Sequence, residues 1–547
     1  MEFWRNYKKP IVLAFLQWLI TVTLQTDRLF FTYNDETVYL FLTKGLYFVF
    51  LNVSWCFAFK VYREVKSNNA SWKRGCYIFF LYLFISSCFL LVLWPGTWAF
   101  DDLWGLVVNC TYESLNPWQH ILTGAYQNVL LQILPFPGGI IFLQSIIISL
   151  CVAFIIVTLE QVFKLSIICS NRLVDTIIKL LPFLLPPVLM FQFSGYRMGL
   201  YVYLEAVMLV SIVSMFKKRN RFSWRSVWFL SLLSIIVSAW RTESFVYIPL
   251  VCISLAMVNK NVVAVRKKIV CILVVLIGFV GITKIQNWGV RVYCGNSSYE
   301  VMSLMRPCAE LVRRADPTED ARELAAIDKV ADVKLIMNNP EMNGEMLYWN
   351  TDCIRIRNSN PEDDYTTEDY KKFLKAILSL SLKYPLTVVS ERFNVFIEAS
   401  GITGNSVIVV SKTSDFAADL FEPENSQEVV KIINDKHWFA NRPAFKDTRK
   451  RLINTIGVTG KEGSFIAAIK RVIWNVIIPV LVLVYAWIKS CIKKKWYLFG
   501  ILTAVLSKLA FVILTEPSTW LMYFLSFYLL GYVVLLFGIL RHVRKHF

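Results

Sequence analysis

The chain has 547 residues, of which 56% are hydrophobic and only 18% are charged, and its mean hydropathy is +0.50. These values exclude an ordinary soluble globular protein. Apolar runs of about 20 residues recur, and each is long enough to cross a hydrocarbon core of roughly 30 Å. The composition therefore predicts a polytopic α-helical membrane protein.

The apolar runs define the predicted elements in chain order. They indicate about twelve membrane spans, at residues 11–26, 39–59, 76–94, 138–160, 174–192, 199–216, 226–240, 244–259, 269–286, 468–488, 496–514 and 518–540. Most of the connections between these runs are short and polar, which is typical of membrane helices packed side by side.

Basic residues are distributed unevenly among the connections. Clusters such as 217–221 and 493–495 alternate with connections that hold only Arg28, Arg197 or Arg241. Because Lys and Arg concentrate on the cytoplasmic side, this pattern predicts that both termini are cytoplasmic and that the connection after the third span lies outside. The formal charge of +19 is thus a topology signal, and we see no nucleic-acid-binding surface in it.

The composition changes between the ninth and tenth predicted spans. Residues 287–464 hold 23 Lys and Arg against 26 Asp and Glu, and the charge pattern places them outside. Helical amphipathic spacing at 320–337 indicates an α-rich domain. We therefore expect a membrane domain (1–286) with an outer loop at 95–137, an extracytoplasmic soluble domain (287–464) and C-terminal membrane helices (465–547).

Four cysteines lie on the predicted outer side, where disulfides are permitted: Cys110, Cys294, Cys308 and Cys353. Four cysteines allow three connectivities. We favour a link between Cys294 and Cys308, which are close in sequence, and four free thiols are the alternative.

The outer loop after the third span carries two adjacent carboxylates, Asp101 and Asp102, and no Lys or Arg before the next span. A Pro-Gly turn precedes them, so the chain leaves the membrane sharply and sets the carboxylates near headgroup level. A carboxylate there could act as a general base. The alternative is that Asp101 caps a helix starting at Leu103.

The same loop contains an interfacial histidine and several tryptophans. His120 could bind a phosphate or a hydroxyl group, or it could be satisfied by backbone groups. Trp98 and Trp104 could stack on a sugar ring, and an interfacial aromatic belt explains them equally well.

Two arginines lie at predicted outer turns, against the usual charge distribution. Arg241 and Glu243 follow one span, and Arg197 lies in the preceding outer turn. Arginine binds phosphate through two parallel hydrogen bonds, which suggests recognition of an anionic ligand. An ion pair between Arg241 and Glu243, or a contact with lipid headgroups, is the alternative.

Four short motifs occur along the chain in an order found in polytopic bacterial glycosyltransferases of the GT-C type. They are WPGTWAFD (94–101), NPWQH (116–120), WRTE (240–243) and KYP (383–385). The chain resembles this family over most of its length. It departs from the family in one respect: the acid follows the third predicted span, whereas many members carry it in the first outer loop.

The resemblance implies a GT-C-like membrane enzyme. Such an enzyme takes a sugar from a polyprenyl-phosphate donor and transfers it to an extracytoplasmic glycan, lipid or protein acceptor. On this resemblance Asp101 would be the general base, with Asp102 as the other choice, and Arg241 and Arg197 would hold the donor phosphate. Some members need a divalent metal and others do not, so metal dependence is left open. The expected partners are the lipid-linked sugar, the acceptor and membrane lipids.

Two other functions fit parts of the sequence. A transporter or flippase of lipid-linked oligosaccharides would explain the many spans, Lys44 within the second span, and the prolines Pro182, Pro186 and Pro187 in the fifth. A polysaccharide polymerase or ligase would act through the outer arginines without a catalytic acid. An Asp101→Asn variant separates the three, because only the first function needs that base.

Overall fold

The computed structural model of the chain describes residues 2–24, 37–98, 102–103, 105–106, 119–165, 171–217, 223–259, 263–293, 299–355, 365–401, 443–456 and 465–546. These residues form helices and no β-strand, with one isolated antiparallel bridge between Ala331 and Ile354. The predicted α-helical class is thus confirmed for the described part of the chain.

The described helices are numbered in chain order. The first eleven are α1 (Glu2–Leu24), α2 (Thr37–Lys66), α3 (Ala70–Leu93), α4 (Ile121–Leu131), α5 (Pro137–Phe163), α6 (Arg172–Leu180), α7 (Pro186–Gln192), α8 (Met198–Lys217), α9 (Trp224–Trp240), α10 (Tyr247–Ala256) and α11 (Val265–Tyr293). The rest are α12 (Tyr299–Arg314), α13 (Ala321–Asp328), α14 (Val333–Asn338), α15 (Gly344–Asn350), α16 (Thr367–Lys383), α17 (Pro385–Ala399), α18 (Lys446–Ile456), α19 (Phe465–Ile473), α20 (Ile477–Ile492), α21 (Trp496–Thr515) and α22 (Leu525–His546). Short 3₁₀ helices occur at Leu181–Phe183, Thr242–Val246 and Leu521–Phe524.

Eight helical stretches within the described ranges are long and apolar enough to cross a membrane. They coincide with the predicted spans at 39–59, 76–94, 138–160, 199–216, 269–286, 468–488, 496–514 and 518–540. The chain is therefore a multi-pass membrane protein by the length and composition of its helices.

The other four predicted spans are not confirmed as single straight helices. The run at 11–26 falls on α1, which is not among the eight. The run at 174–192 is bent by 74°, because Pro186 and Pro187 start a new helix after the 3₁₀ turn. The predicted spans at 226–240 and 244–259 correspond to the shorter helices α9 and α10. The predicted count of twelve is thus not confirmed.

A second bent pair was not expected from the sequence. Helices α16 and α17 together are apolar enough to span a membrane, with a bend of 99° where Pro385 begins α17. The sequence analysis assigned this stretch to the soluble domain, because charged residues lie among its apolar positions. Counting both bent pairs as spans raises the total to ten.

The chain divides into two compact units. The first unit comprises the described residues of 1–289, 408–506 and 525–547, and the second those of 290–407 and 507–524. Helix α18, which the sequence analysis assigned to the outer domain, belongs to the first unit. The outside location of the second unit stays a prediction.

In the first unit, α5 packs against both α3 and α8. Four charged side chains join α3, α5 and α6, and we call them the ion quartet: the buried Asp175 and Lys179 and the half-buried Arg74 and Glu160. The guanidinium of Arg74 also donates to Thr176 Oγ1 at 2.7 Å. The quartet pins the first segment of the bent pair to two spans.

The second unit has an apolar core built from α12 to α17, in which Cys308 and Cys353 are both fully buried. Both have free thiols, and burial raises the pKa of Cys353 to about 12. The expected link between Cys294 and Cys308 is therefore not formed here; Cys294 and Cys110 lie outside the described residues.

Candidate functional site

The loop that leaves α3 is docked onto the end of α7. The backbone N–H of Thr97 donates to Phe193 O at 2.8 Å, and its hydroxyl donates to Met190 O at 2.7 Å. Gly96 has a φ of 123°, and a Cβ there would lie 2.6 Å from Phe193 O. Glycine is thus required for the turn that brings the two predicted outer segments together.

A residue from far along the chain also holds this turn. Arg449 of α18 is buried, and its guanidinium donates to Leu93 O at 3.3 Å and to Gly96 O at 2.8 Å. It thereby satisfies carbonyl groups left open at the end of α3. Sequence reasoning missed Arg449, because nothing in its local pattern indicates a partner 353 residues away.

Asp102 is an anchor in this structure. Its side chain is 1% exposed, and Oδ2 accepts the backbone N–H of Gly195 at 2.8 Å. On the other side of that glycine, Gln127 Nε2 donates to Gly195 O at 3.2 Å. The carboxylate therefore fixes the turn before α8. Its neighbour Asp101, the preferred base, lies outside the described residues, as does Trp104.

Trp98 does not offer a stacking surface. It is fully buried, its Nε1 donates to Pro95 O at 3.1 Å, and a Cβ on Gly195 would lie 2.1 Å from its ring. In this arrangement the ring and the N–H of Trp98 serve internal packing, so sugar stacking would require the ring to become exposed, and that role stays a prediction.

His120 begins α4 and is held neutral. It has a φ of 78°, and Nδ1 accepts the N–H of Leu122 at 3.3 Å. Burial, together with the nearby charge of Arg197, lowers its pKa to about 3. Since Nδ1 is an acceptor, the neutral ring carries its proton on Nε2. His120 can donate one hydrogen bond to a hydroxyl or phosphate oxygen, but it supplies no positive charge.

Arg197 links two of the predicted site segments. It is half-buried, and Nη1 lies 3.3 Å from both Gln119 O and Trp240 O. The indole of Trp240 in turn donates to Thr123 Oγ1 at 2.8 Å. These contacts bring the start of α4, the start of α8 and the end of α9 to one place.

Arg241 and Glu243 form a buried ion pair, which is the alternative that the sequence analysis left open. Arg241 Nη1 also lies 2.8 Å from the sulfur of Met198. In this arrangement Arg241 is committed to internal partners. A bidentate grip on phosphate would require it to leave Glu243.

A second group of buried polar side chains lies near the ion pair of Arg241 and Glu243. Glu205, fully buried in α8, accepts hydrogen bonds from the hydroxyls of Tyr247 and Ser526, and Tyr201 bonds Ser244. The sequence analysis did not single out these residues. A carboxylate inside an apolar run was the signal that could have found Glu205, because such groups are rare in spans and are usually functional.

Gln119 has unused hydrogen-bonding capacity at this site. Its Nε2 and Oε1 are both buried and have no hydrogen-bond partner among the described residues, and its side chain lies 3.9 Å from a Cβ position on Gly105. A buried amide with both functions open is costly. It offers one donor and one acceptor to a polar ligand that reaches the loop.

The segments that carry the described candidate residues thus meet in the first unit, through the described residues of 94–106, 119–127, 192–198 and 240–244. The arrangement has hydrogen-bonding groups, a neutral histidine and two arginines. The described residues contain no group of three or more His, Cys, Asp or Glu that could hold a metal ion. No protein-family model, curated protein or solved structure matches the chain.

Proposed function

We propose that the chain is an integral-membrane glycosyltransferase that moves a sugar from a polyprenyl-phosphate donor to an extracytoplasmic acceptor. The supporting observation is the convergence of four polar segments, separated by up to about 140 residues in sequence, around the Gly195 turn. Three of the four motifs on which the resemblance to GT-C-type enzymes rests have described residues in this region, and the turn at 192–198 adds Arg197; the fourth motif, KYP (383–385), belongs to the second unit.

The roles follow from the contacts. Asp102 is a positioning residue, because its carboxylate is occupied by the N–H of Gly195. Asp101 keeps the role that the resemblance gives it, the general base that removes the proton of the acceptor hydroxyl. Gln119 and His120 supply neutral hydrogen bonds to sugar hydroxyls. Arg197 supplies positive charge for the donor phosphate.

Because the donor sugar is activated, these four residues are sufficient for the transfer reaction. A sugar on a lipid phosphate already carries a leaving group, so a single inverting displacement needs one base and donors that stabilise the departing phosphate. The proposal requires no second catalytic carboxylate and leaves metal dependence open.

The test is the pair Asp101→Asn and Asp102→Asn, assayed in membranes for transfer from a polyprenyl-phosphate sugar. Asp101→Asn should lower turnover by about two to four orders of magnitude while donor binding persists. Asp102→Asn keeps an oxygen that can accept from Gly195, so its loss should stay within about tenfold. Near-normal turnover in Asp101→Asn would end the base assignment. A loss confined to Asp102→Asn would move the base by one residue.

A transporter of lipid-linked oligosaccharides is the second candidate, because two observations favour it. Two helix pairs are sharply bent, and Glu205 lies buried within a span, as expected of transport proteins. Transport would survive Asp101→Asn, so the same variant separates the two functions.

A further inference from the structure

A large apolar groove lies between the helices of the first unit, away from the site described above. It has a volume of about 860 Å³ and is lined by α5, α8, α20, α21 and α22. Its walls are aliphatic and aromatic side chains, among them Leu159, Val210, Leu481, Leu502 and Val533. Its volume is in the range of cavities that hold small-molecule ligands.

Basic residues occupy one end of this groove. Lys489 and Lys493 come from the end of α20, Lys495 from the start of α21, and Arg541 and His542 from the end of α22. No Asp or Glu is among the residues that line it. Several like charges at one mouth repel each other unless an anion is bound there.

The short connection between α20 and α21 consists of basic residues. Lys493, Lys494 and Lys495 are consecutive, and the turn is tight: Lys495 N donates to Ser490 O at 2.8 Å. Lys494 has a φ of 52°, a conformation that a lysine rarely adopts. The chain thus holds three ammonium groups at one short turn, where two of them line the groove.

The groove is at the opposite end of the helices from the candidate catalytic site. Helix α5 starts at Pro137, beside the packed ring of Trp94, and reaches the groove at Leu159, about 33 Å further along at 1.5 Å per residue. Helix α8 starts next to Arg197 and reaches the groove at Leu209, about 17 Å further along. The groove is therefore not the place where Arg197 would hold a donor phosphate.

We propose that this groove is a binding site for an anionic phospholipid of the surrounding membrane, with an acyl chain along the apolar walls and the phosphate at the basic end. From Leu530 to His542 the groove runs about 18 Å along α22, slightly more than half a hydrocarbon core of roughly 30 Å. An acyl chain of one leaflet fits that length. An anionic headgroup complements the basic mouth, as at other basic pockets between membrane helices.

The test uses the full chain in detergent, titrated with phosphatidylglycerol and with phosphatidylcholine, with bound lipid counted by native mass spectrometry. Phosphatidylglycerol should be retained roughly tenfold more tightly than phosphatidylcholine. The double variant Lys493→Gln/Arg541→Gln should abolish that preference. A matched double variant on α11, Arg266→Gln/Lys267→Gln, should preserve it, because neither residue lines the groove.

A second variant tests the apolar part independently of charge. A Cβ on Gly538, which lines the groove, would meet no atom within 4 Å, so a side chain can start there, and Gly538→Phe would place an aromatic ring in the groove. It should weaken phosphatidylglycerol binding by roughly tenfold or more. Gly281→Phe on α11 has equally open surroundings outside the groove and serves as the control. Equal binding of the two lipids, or unchanged binding in Gly538→Phe, would overturn the proposal; so would a dimer of the purified chain that Gly538→Phe dissociates.

Discussion

Two clusters of buried and half-buried charged residues, one in each unit, are built differently. The ion quartet of the first unit has two cations and two carboxylates, and its four ion pairs span 2.7–3.1 Å. The second unit contains what we call the acidic cluster: Arg306, Glu345, Glu391, Arg392, Glu398 and Glu516. It has two cations and four carboxylates, and Arg306 lies 3.5–3.9 Å from three of them.

The acidic cluster also contains polar atoms that make no hydrogen bond with any described residue. Both carboxylate oxygens of Glu516 are buried and accept none, and Nε and Nη1 of Arg306 donate none. Burial raises the pKa of Glu516 well above its usual range, although the charges of Arg392 and Arg306 oppose this. Burial likewise raises the pKa of Glu345 to about 7.

The difference shows what charge balance does in a buried site. A balanced cluster with short contacts is structural, because removing one member leaves an uncompensated charge. A cluster with surplus carboxylates cannot ionise all of them, so some stay protonated and respond to pH. Three measurements test this contrast.

The largest effect should come from the ion quartet. Glu160→Gln removes the partner of both Arg74 and Lys179, and it should lower the free energy of unfolding by about 3–5 kcal/mol. Chemical denaturation in detergent measures the change. Glu368→Gln is the control, because Glu368 is exposed and its ion pair with Lys371 is long at 3.9 Å. Equal effects of the two substitutions would show that the ion quartet stabilises the chain no more than an exposed ion pair does.

A smaller effect should appear in the pH dependence of the second unit. Since the pKa of Glu345 is raised in the folded chain, the folded state holds its proton more tightly than the unfolded state. Stability is therefore fully present below the ordinary value of 4.5 and declines as pH rises to about 7, by on the order of 2–3 kcal/mol. Glu345→Gln should flatten this decline.

The buried thiols of Cys308 and Cys353 react only when the second unit opens, so their reactivity measures the unfolding of that unit within the full chain. Their reaction with a thiol reagent, followed residue by residue by mass spectrometry and corrected for the thiolate fraction of a free cysteine, gives the opening equilibrium. A slope unchanged by Glu345→Gln would contradict the assignment, and Glu368→Gln should leave the slope intact.

The smallest effect should come from Glu516→Gln. Because burial holds Glu516 protonated, a neutral glutamine resembles the group already present, and the free energy of unfolding should change by less than about 1 kcal/mol. The same denaturation experiment compares it directly with Glu160→Gln. A loss of several kcal/mol would mean that Glu516 is ionised and that the two clusters behave alike.

Local sequence patterns predicted much of the helical architecture. Hydropathy identified the eight straight spans, and proline marked the break at Pro186. Residue types at the turns predicted to lie outside also identified Asp102, His120, Arg197 and Arg241, which the fold brings to one region. The orientation of the termini, the glycosyltransferase activity and the role of Asp101 stay predictions.

The sequence by itself determined the class and the helical segments, because hydropathy and proline act over one or two helical turns. Only the tertiary structure decided the partners. Arg449 closes the turn after α3, Asp102 anchors Gly195, and Arg241 pairs with Glu243. These partners depend on which buried polar groups remain without a hydrogen bond once the helices pack, and the groups that meet can be 353 residues apart, as Arg449 and Gly96 are. The amino-acid composition cannot predict which of these groups become partners.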